Sequence, residues 1–334
     1  MKKINNYWDL ISKLFPFIGL VLIIIVFTIL SPNRLWRINN IRGVINMTIP
    51  MAIGAMGMVF VASQGSTDLT QGSLLALCAS FAGLVSTQAG AWVFVPLALL
   101  TGLAVGIFNG AVLAYLKVPS LMLTLAMLIA LRSIVLYITN SQAVFLDPAI
   151  IALDDVKIKY PVFILLFIVM WYLFDYTKAG FFSRCIGENQ TVGQFAGIPV
   201  KKYKILAFAL SGLMSAVVGI FAVGSIGGVA ATMGNFFELQ VMTAMFVGGI
   251  PVHGGASSKF YKIIVGSLML AFLRNGLAIT RVPTEISELI QGIMLLTVVF
   301  MGLYVNEKFT GWQASADITD VKRKDKIRLN HSKI

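Results

Sequence analysis

The chain has 334 residues, 58% of them apolar and 12% charged, where a soluble domain carries about 25% charge; with a mean hydropathy of +0.87 its solvent is lipid, which demands an apolar exterior. The formal charge of +12 does not argue for nucleic acid, because the cations flank apolar runs where a nucleic-acid-binding domain would display them on a polar face beside a soluble core. Two widely separated cysteines, Cys78 and Cys185, and two histidines, His253 and His331, argue against a disulfide framework or a metal centre.

From the start of the chain, a polar and basic segment, Met1 to Lys13, precedes an apolar run from Phe15 to Leu30. Ser31-Pro32-Asn33-Arg34 follows it in place of a small-residue cleavage site, so the run is expected to be the first membrane helix and not a signal peptide. A helix crosses the bilayer core with about 20 residues. By that length the spans fall at 15–31, 43–63, 68–87, 91–115, 119–140, 161–176, 203–223, 238–250, 262–280 and 286–305. The expected fold is all-α and polytopic, with about ten transmembrane helices, one of them short or broken. Residues 1–14 are expected to form a cytoplasmic tail, 15–305 the transmembrane domain with its longest cytoplasmic loop at 177–204, and 306–334 a basic, poorly ordered cytoplasmic tail. With the N-terminus inside, 18 of the 26 Lys and Arg residues fall on cytoplasmic segments and 6 outside, the bias that places both termini in the cytoplasm.

Three polar interruptions stand out. Gln64 through Ser73 breaks an otherwise continuous apolar stretch from 43 to 87. Asp68 there caps the following helix with Gln71 reaching back, or the acid and amides touch solute or partner at membrane depth. In the 177–204 loop, Glu188 or Asn189 caps a short helix near 190–196 that Gly197-Ile198-Pro199 ends; the helix is a peg for a partner, or the loop is simply solvated and anchored on lipid headgroups. The stretch 224–234 is glycine-rich and precedes the weakest span, 238–250, a candidate pathway wall because irregular backbone at membrane depth must be covered by protein or water. The turn from Val247 to Gly255 carries no Lys-Ser or Lys-Thr after its glycines, so it is not a phosphate-binding loop.

Arg132, Asp175, Glu238 and Arg274 are the charges that lipid makes costly unless paired or wet. Arg274 reaches either the outer interface or a partner, Glu238 or Glu285. Small residues recur at helix-packing spacing at Gly102, Gly106 and Gly110 and at Gly212, Ser215 and Gly219. No series of acids resembles a proton relay, which weighs against a stand-alone secondary transporter of a small polar solute, the rival class. Clustered groups that membrane-enzyme chemistry requires are missing as well.

At these interruptions the sequence resembles the ribose-type permeases of ABC importers, the branched group that also serves autoinducer-2 and simple sugars. Gly65-Ser66-Thr67-Asp68-Leu69-Thr70-Gln71-Gly72-Ser73 is similar to their Gly-Gly-Ile-Asp-Leu-Ser-Val-Gly-Ser. Gly187-Glu188-Asn189 through Gly197-Ile198 resembles their coupling segment, and Gly248 through Gly255 with Asn275-Gly276-Leu277 resembles their paired-glycine turn and following helix. The resemblance implies an ATPase-coupling segment of Gly187, Glu188, Asn189, Gln190, Gly193, Ala196, Gly197 and Ile198. Gln64, Asp68, Gln71, Glu238 and Asn275 are the pathway or gating candidates. It further implies no catalytic residue and no bound cofactor, with ATP and Mg held by cytoplasmic ABC ATPase subunits. A second permease copy or paralogue, an extracytoplasmic solute-binding protein and membrane lipid are the other partners, in a bacterial inner membrane. Ser66-Thr67 in place of Gly-Ile, Gln71 in place of Val, and Ala256 through Lys259 in place of a glycine-rich stretch suit one half of a heterodimeric pair.

Overall fold

The computed structural model describes residues 17–230 and 232–300; the expected tails and the last residues of span 286–305 lie outside them. It divides into two units, 1–287 and 288–334. Of the second, residues 288–300 are described, and they are helical.

In the first unit the helices run in order α1 (Phe17–Leu30), α2 (Pro32–Leu35), α3 (Ile38–Ser63), α4 (Gln71–Ala89), α5 (Phe94–Leu116), α6 (Ser120–Ile138), α7 (Pro148–Ile151), α8 (Val156–Tyr176), α9 (Lys178–Glu188), α10 (Gln190–Phe195), α11 (Val200–Ile226), α12 (Phe237–Val247) and α13 (Tyr261–Ile279). Two-residue strands β1 (Val144–Phe145) and β2 (Gly228–Val229) pair antiparallel, Val144 opposite Val229. Among the described residues, seven helices are long and apolar enough to cross a membrane: α3, α4, α5 with the turn before it, α6, α8, α11 and α13. The protein is all-α and polytopic. The other two apolar helices of this unit, α1 and α12, are shorter; α12, with 11 residues, rises only about 16 Å.

These helices form where the apolar runs are because lipid leaves no partner for free backbone groups except the helix itself. The core is α3, α4 and α11, whose spans are mostly buried, whereas α5, α6 and α8 turn Leu100, Phe108, Leu125, Ile129, Leu165 and Ile168 outward. No hydrophobic force separates helix from lipid tails, so close backbone approach holds the core. Gly102 faces the Gly212 carbonyl, Gly106 the Phe208 carbonyl and Gly110 the Ile205 backbone, which seats α5 on α11. Gly219 instead faces the Leu75 carbonyl of α4.

The loops sort to two ends. At one end Gly255 N donates to Ser63 O at 3.0 Å, Thr67 N donates to Ser120 Oγ at 3.0 Å, and Lys201 lies over the Tyr115 ring. At the other, β1 meets β2, Arg34 donates to Ile279 O at 3.3 Å, and Gly224 packs on Asp154. Two features were not legible beforehand. Helix α9 is too polar to register as a span; it forms because Thr177 Oγ1 caps Ala179 N and its apolar side packs, with Phe182 edge-on to Tyr203 at 4.9 Å. The β1–β2 pair is too short to show a period.

Gly106→Ala is expected to destabilise the detergent-solubilised protein by about 1–3 kcal/mol through overpacking. Gly43→Ala, where nothing lies within 4 Å of the added carbon, should be neutral or gain up to about 1 kcal/mol of helix propensity. Thermal unfolding of the two variants side by side checks the contrast.

Candidate functional site

The three polar interruptions meet in two assemblies. The first gathers at the end of the molecule that carries α10. Asn189 caps this helix, its Oδ1 accepting from Val192 N at 3.0 Å, as one of the two capping alternatives predicted. Ile198 N returns to Gly193 O at 3.0 Å and Gly197 takes the left-handed backbone that closes the turn. The helix projects: Gln190, Gln194, Ala196 and Gly197 are exposed, and Phe195 is 89% and Val192 62% exposed. Those two apolar side chains form a knob that composition did not reveal, although their spacing of three residues places them on one face.

Gly187 and Glu188 point the other way. Gly187 packs against the Ser63 carbonyl and the Gly255 nitrogen so closely that a Cβ would not fit. Glu188 does not cap α10; its Oε1 accepts from Ala256 N at 2.6 Å. Gln64 Nε2 donates to Ser183 Oγ at 3.0 Å and to Tyr203 O at 2.9 Å. Lys262 Nζ ties the glycine turn together from below, donating to Gly249 O at 2.8 Å and Ser257 O at 2.9 Å. The base of α10, the end of α3 and the turn at 248–258 thus form one hydrogen-bonded knot, in which Gln64 is a strut.

The second assembly lies deeper. After α3 the chain turns back alongside it, and Gln71 Nε2 donates to Gly54 O at 3.0 Å, nine residues and so about 14 Å before the helix end. Helix α4 therefore starts inside the membrane. Asp68, 2% exposed, accepts from Thr70 N at 2.9 Å and Thr70 Oγ1 at 2.6 Å with one oxygen, and from Ser211 Oγ at 2.7 Å with the other. Ser211 in turn accepts from Gln71 Nε2 at 2.9 Å. The capping-box expectation needs correction here: Asp68 does serve the helix start, but Gln71 reaches across to α3 and α11. Both its donors find interhelical acceptors at depth, and a local bond would leave those acceptors open. Its Oε1 is buried with no hydrogen-bond partner.

Glu238 completes this assembly from the first turn of α12. It is buried, and its carboxylate lies against the Gly72 N–H, where a side chain on Gly72 would collide with it. Arg132 attracts it electrostatically and donates to Met233 O at 2.7 Å. Two helices, α4 and α12, begin at membrane depth, and each positive N-terminus is met by a carboxylate of the chain itself. Ser211 and Met233 were missed because nothing in their local sequence marks them.

Asn275 stands apart from both assemblies. It exchanges reciprocal amide bonds of 2.9 Å with Asn40, tying α13 to the start of α3. Arg274 donates to Gln240 Oε1, a partner on α12 that was not among those expected. Asp175 accepts from Trp171 Nε1 and pairs with Arg184 at 3.4 Å. Among the described residues no group of three His, Cys, Asp or Glu side chains is placed to hold a metal ion.

Residues 40–299, which hold both assemblies, match the family model described as branched-chain amino acid transport system / permease component. The chain belongs to this family. It is similar to the ribose import permease protein RbsC of Escherichia coli K12, with 30% identity over 295 residues that cover 85% of this chain and 91% of that protein. RbsC of Haemophilus influenzae is 29% identical over 303 residues, 87% of this chain and 93% of its own. The autoinducer 2 import system permease protein LsrD of Yersinia pseudotuberculosis (serotype O:3, strain YPIII) is 29% identical over 294 residues, 84% and 87% of the two chains. No solved structure matches. This permease is a ribose-type ABC importer permease and a multi-pass inner-membrane protein.

Ser211→Ala removes the hydroxyl that joins Asp68 to Gln71 and is expected to cost about 1–3 kcal/mol, the range for a buried polar group left unpaired. The same change in a Gln71→Leu background should cost measurably less, because the partner is already gone. Unfolding of the four proteins of this cycle measures both.

Proposed function

We propose that this permease is the membrane subunit of an ATP-driven importer for a sugar or sugar-like solute, with α10 docked into a cytoplasmic ATPase. The observation that carries the reading is the projecting α10, with Phe195 and Val192 exposed at its tip and its base locked to α3 and the 248–258 turn through Gly187 and Glu188. A helix so exposed and so firmly rooted transmits force in both directions. The solute class follows from the ribose and autoinducer 2 relatives, which align over most of both chains.

In this reading the end that carries α10 is cytoplasmic, both termini lie on that side, and the chain crosses ten times, with α12 as a half-length crossing completed by the irregular stretch before it. The partner ATPase holds ATP and Mg and closes on nucleotide. Its motion pulls α10, and helices rock as rigid bodies between outward-open and inward-open states. A solute-binding protein delivers solute from outside, and a second permease copy or paralogue completes the passage. This chain supplies no catalytic group. Asn40 and Asn275 hold the outer ends of α3 and α13 together, which suits the gating role assigned to Asn275.

Phe195→Ala should weaken ATPase capture by about 2 kcal/mol, roughly thirtyfold, as an exposed aromatic anchor does, and ATP-driven uptake should fall with it while the permease stays inserted at its normal level. The check is reconstitution with the ATPase and binding protein, reading ATPase co-purification and uptake together. Unchanged capture and uptake would contradict the docking, and uptake on an ion gradient without any ATPase would favour a carrier working alone.

A further inference from the structure

Between β2 and α12 the backbone does what lipid does not tolerate. Residues 232–236 form turns, with left-handed backbone at Gly234 and Phe236, and irregular backbone at membrane depth survives only beside protein or water. The depth follows from two anchors. Met233 O is held by Arg132, which is twelve residues into α6 and so about 18 Å from one end of that helix and about 9 Å from the other. Gly234 packs on the Gly72 carbonyl at the buried start of α4.

Despite this depth the stretch faces outward. Thr232, Asn235, Phe236 and Leu239 are exposed, Phe236 by 62%. On the flank formed by α8 the outward residues are Ile164, Leu165 and Ile168, as hydrocarbon requires; here a hydroxyl and an amide are presented instead. The charges nearby are turned inward. Glu238 and Asp68 sit at the N-termini of α12 and α4, and Arg132 is engaged with Met233 O and Glu238. Neither the α4 start nor the α12 start is left uncompensated for an anionic solute, so the surface offers uncharged hydrogen-bonding groups beside an aromatic ring.

We infer that residues 232–239 form a wall of the water-filled passage, where Thr232 and Asn235 hydrogen-bond a neutral polyhydroxylated solute and Phe236 receives its apolar face. The inference rests on the importer reading and gives that reading its solute contacts. In the assembled transporter, Thr232→Cys and Asn235→Cys in a Cys78→Ala/Cys185→Ser background are to be exposed to a charged, lipid-insoluble methanethiosulfonate, with Leu165→Cys as the lipid-facing control. Both passage positions should be modified, with loss of ATP-driven uptake, and Leu165→Cys should not. If 232 and 235 resist the charged reagent, whether because only a lipid-soluble maleimide reaches them or because nothing does, the wall assignment is overturned. Uptake by the unmodified background protein is measured first, and its dependence on ATP tests the importer reading separately.

Discussion

Hydrocarbon offers no hydrogen bonds, and the structure is organised by that constraint at the one depth where it is strained. Two helices, α4 and α12, begin inside the membrane, and each start exposes backbone N–H groups that no preceding turn can satisfy. Asp68 answers at Thr70 and Glu238 at Gly72 at the start of α4, and Glu238 also takes its own amide at the start of α12. Each of these carboxylates would itself be intolerable in lipid, and each is held in turn, Asp68 by Ser211 and Glu238 by the field of Arg132. Charges, helix ends and hydroxyls satisfy one another, with Gln71 Oε1 the buried acceptor left over, and Gly72 is glycine because the carboxylate occupies the space a side chain would need.

The deep assembly and the knot below it are joined by α12. Its last turn runs into Gly248, which packs on the Lys262 carbonyl, and Lys262 holds the turn whose Ala256 receives Glu188. From the exposed tip of α10 to the start of α4 there is an unbroken series of packed backbone and hydrogen-bonded side chains. On the proposed function this series is the means by which motion at a cytoplasmic ATPase reaches the strained depth, through α12, which is short and bounded at both ends by glycine-rich turns.

Much of the fold was legible in the residues because membrane helices announce themselves by length and apolarity alone, and the Gly102-Gly106-Gly110 spacing correctly marked a close helix contact. The α10 segment was readable from Asn189 and Gly197, since caps are local chemistry. What failed to show was everything set by distance along the chain. Gln71 looked like a capping residue because its neighbours are all a sequence displays, while its partners, Gly54 and Ser211, lie 17 and 140 positions away. Glu188 read as an alternative cap for α10, while the amide it accepts from, that of Ala256, lies 68 positions away. The knob at Val192 and Phe195 went unseen because an apolar residue in a loop carries no mark of whether it is buried.

The central claim is that buried charges of the chain itself hold the two interrupted helices together, and a double-mutant cycle on Arg132→Met and Glu238→Gln in bilayer-reconstituted protein tests it most directly. The account predicts that the two single changes destabilise more than the double change warrants, with a coupling of about 1 kcal/mol or more. Additive effects, or a double variant less stable than the sum of the two single changes predicts, would contradict it.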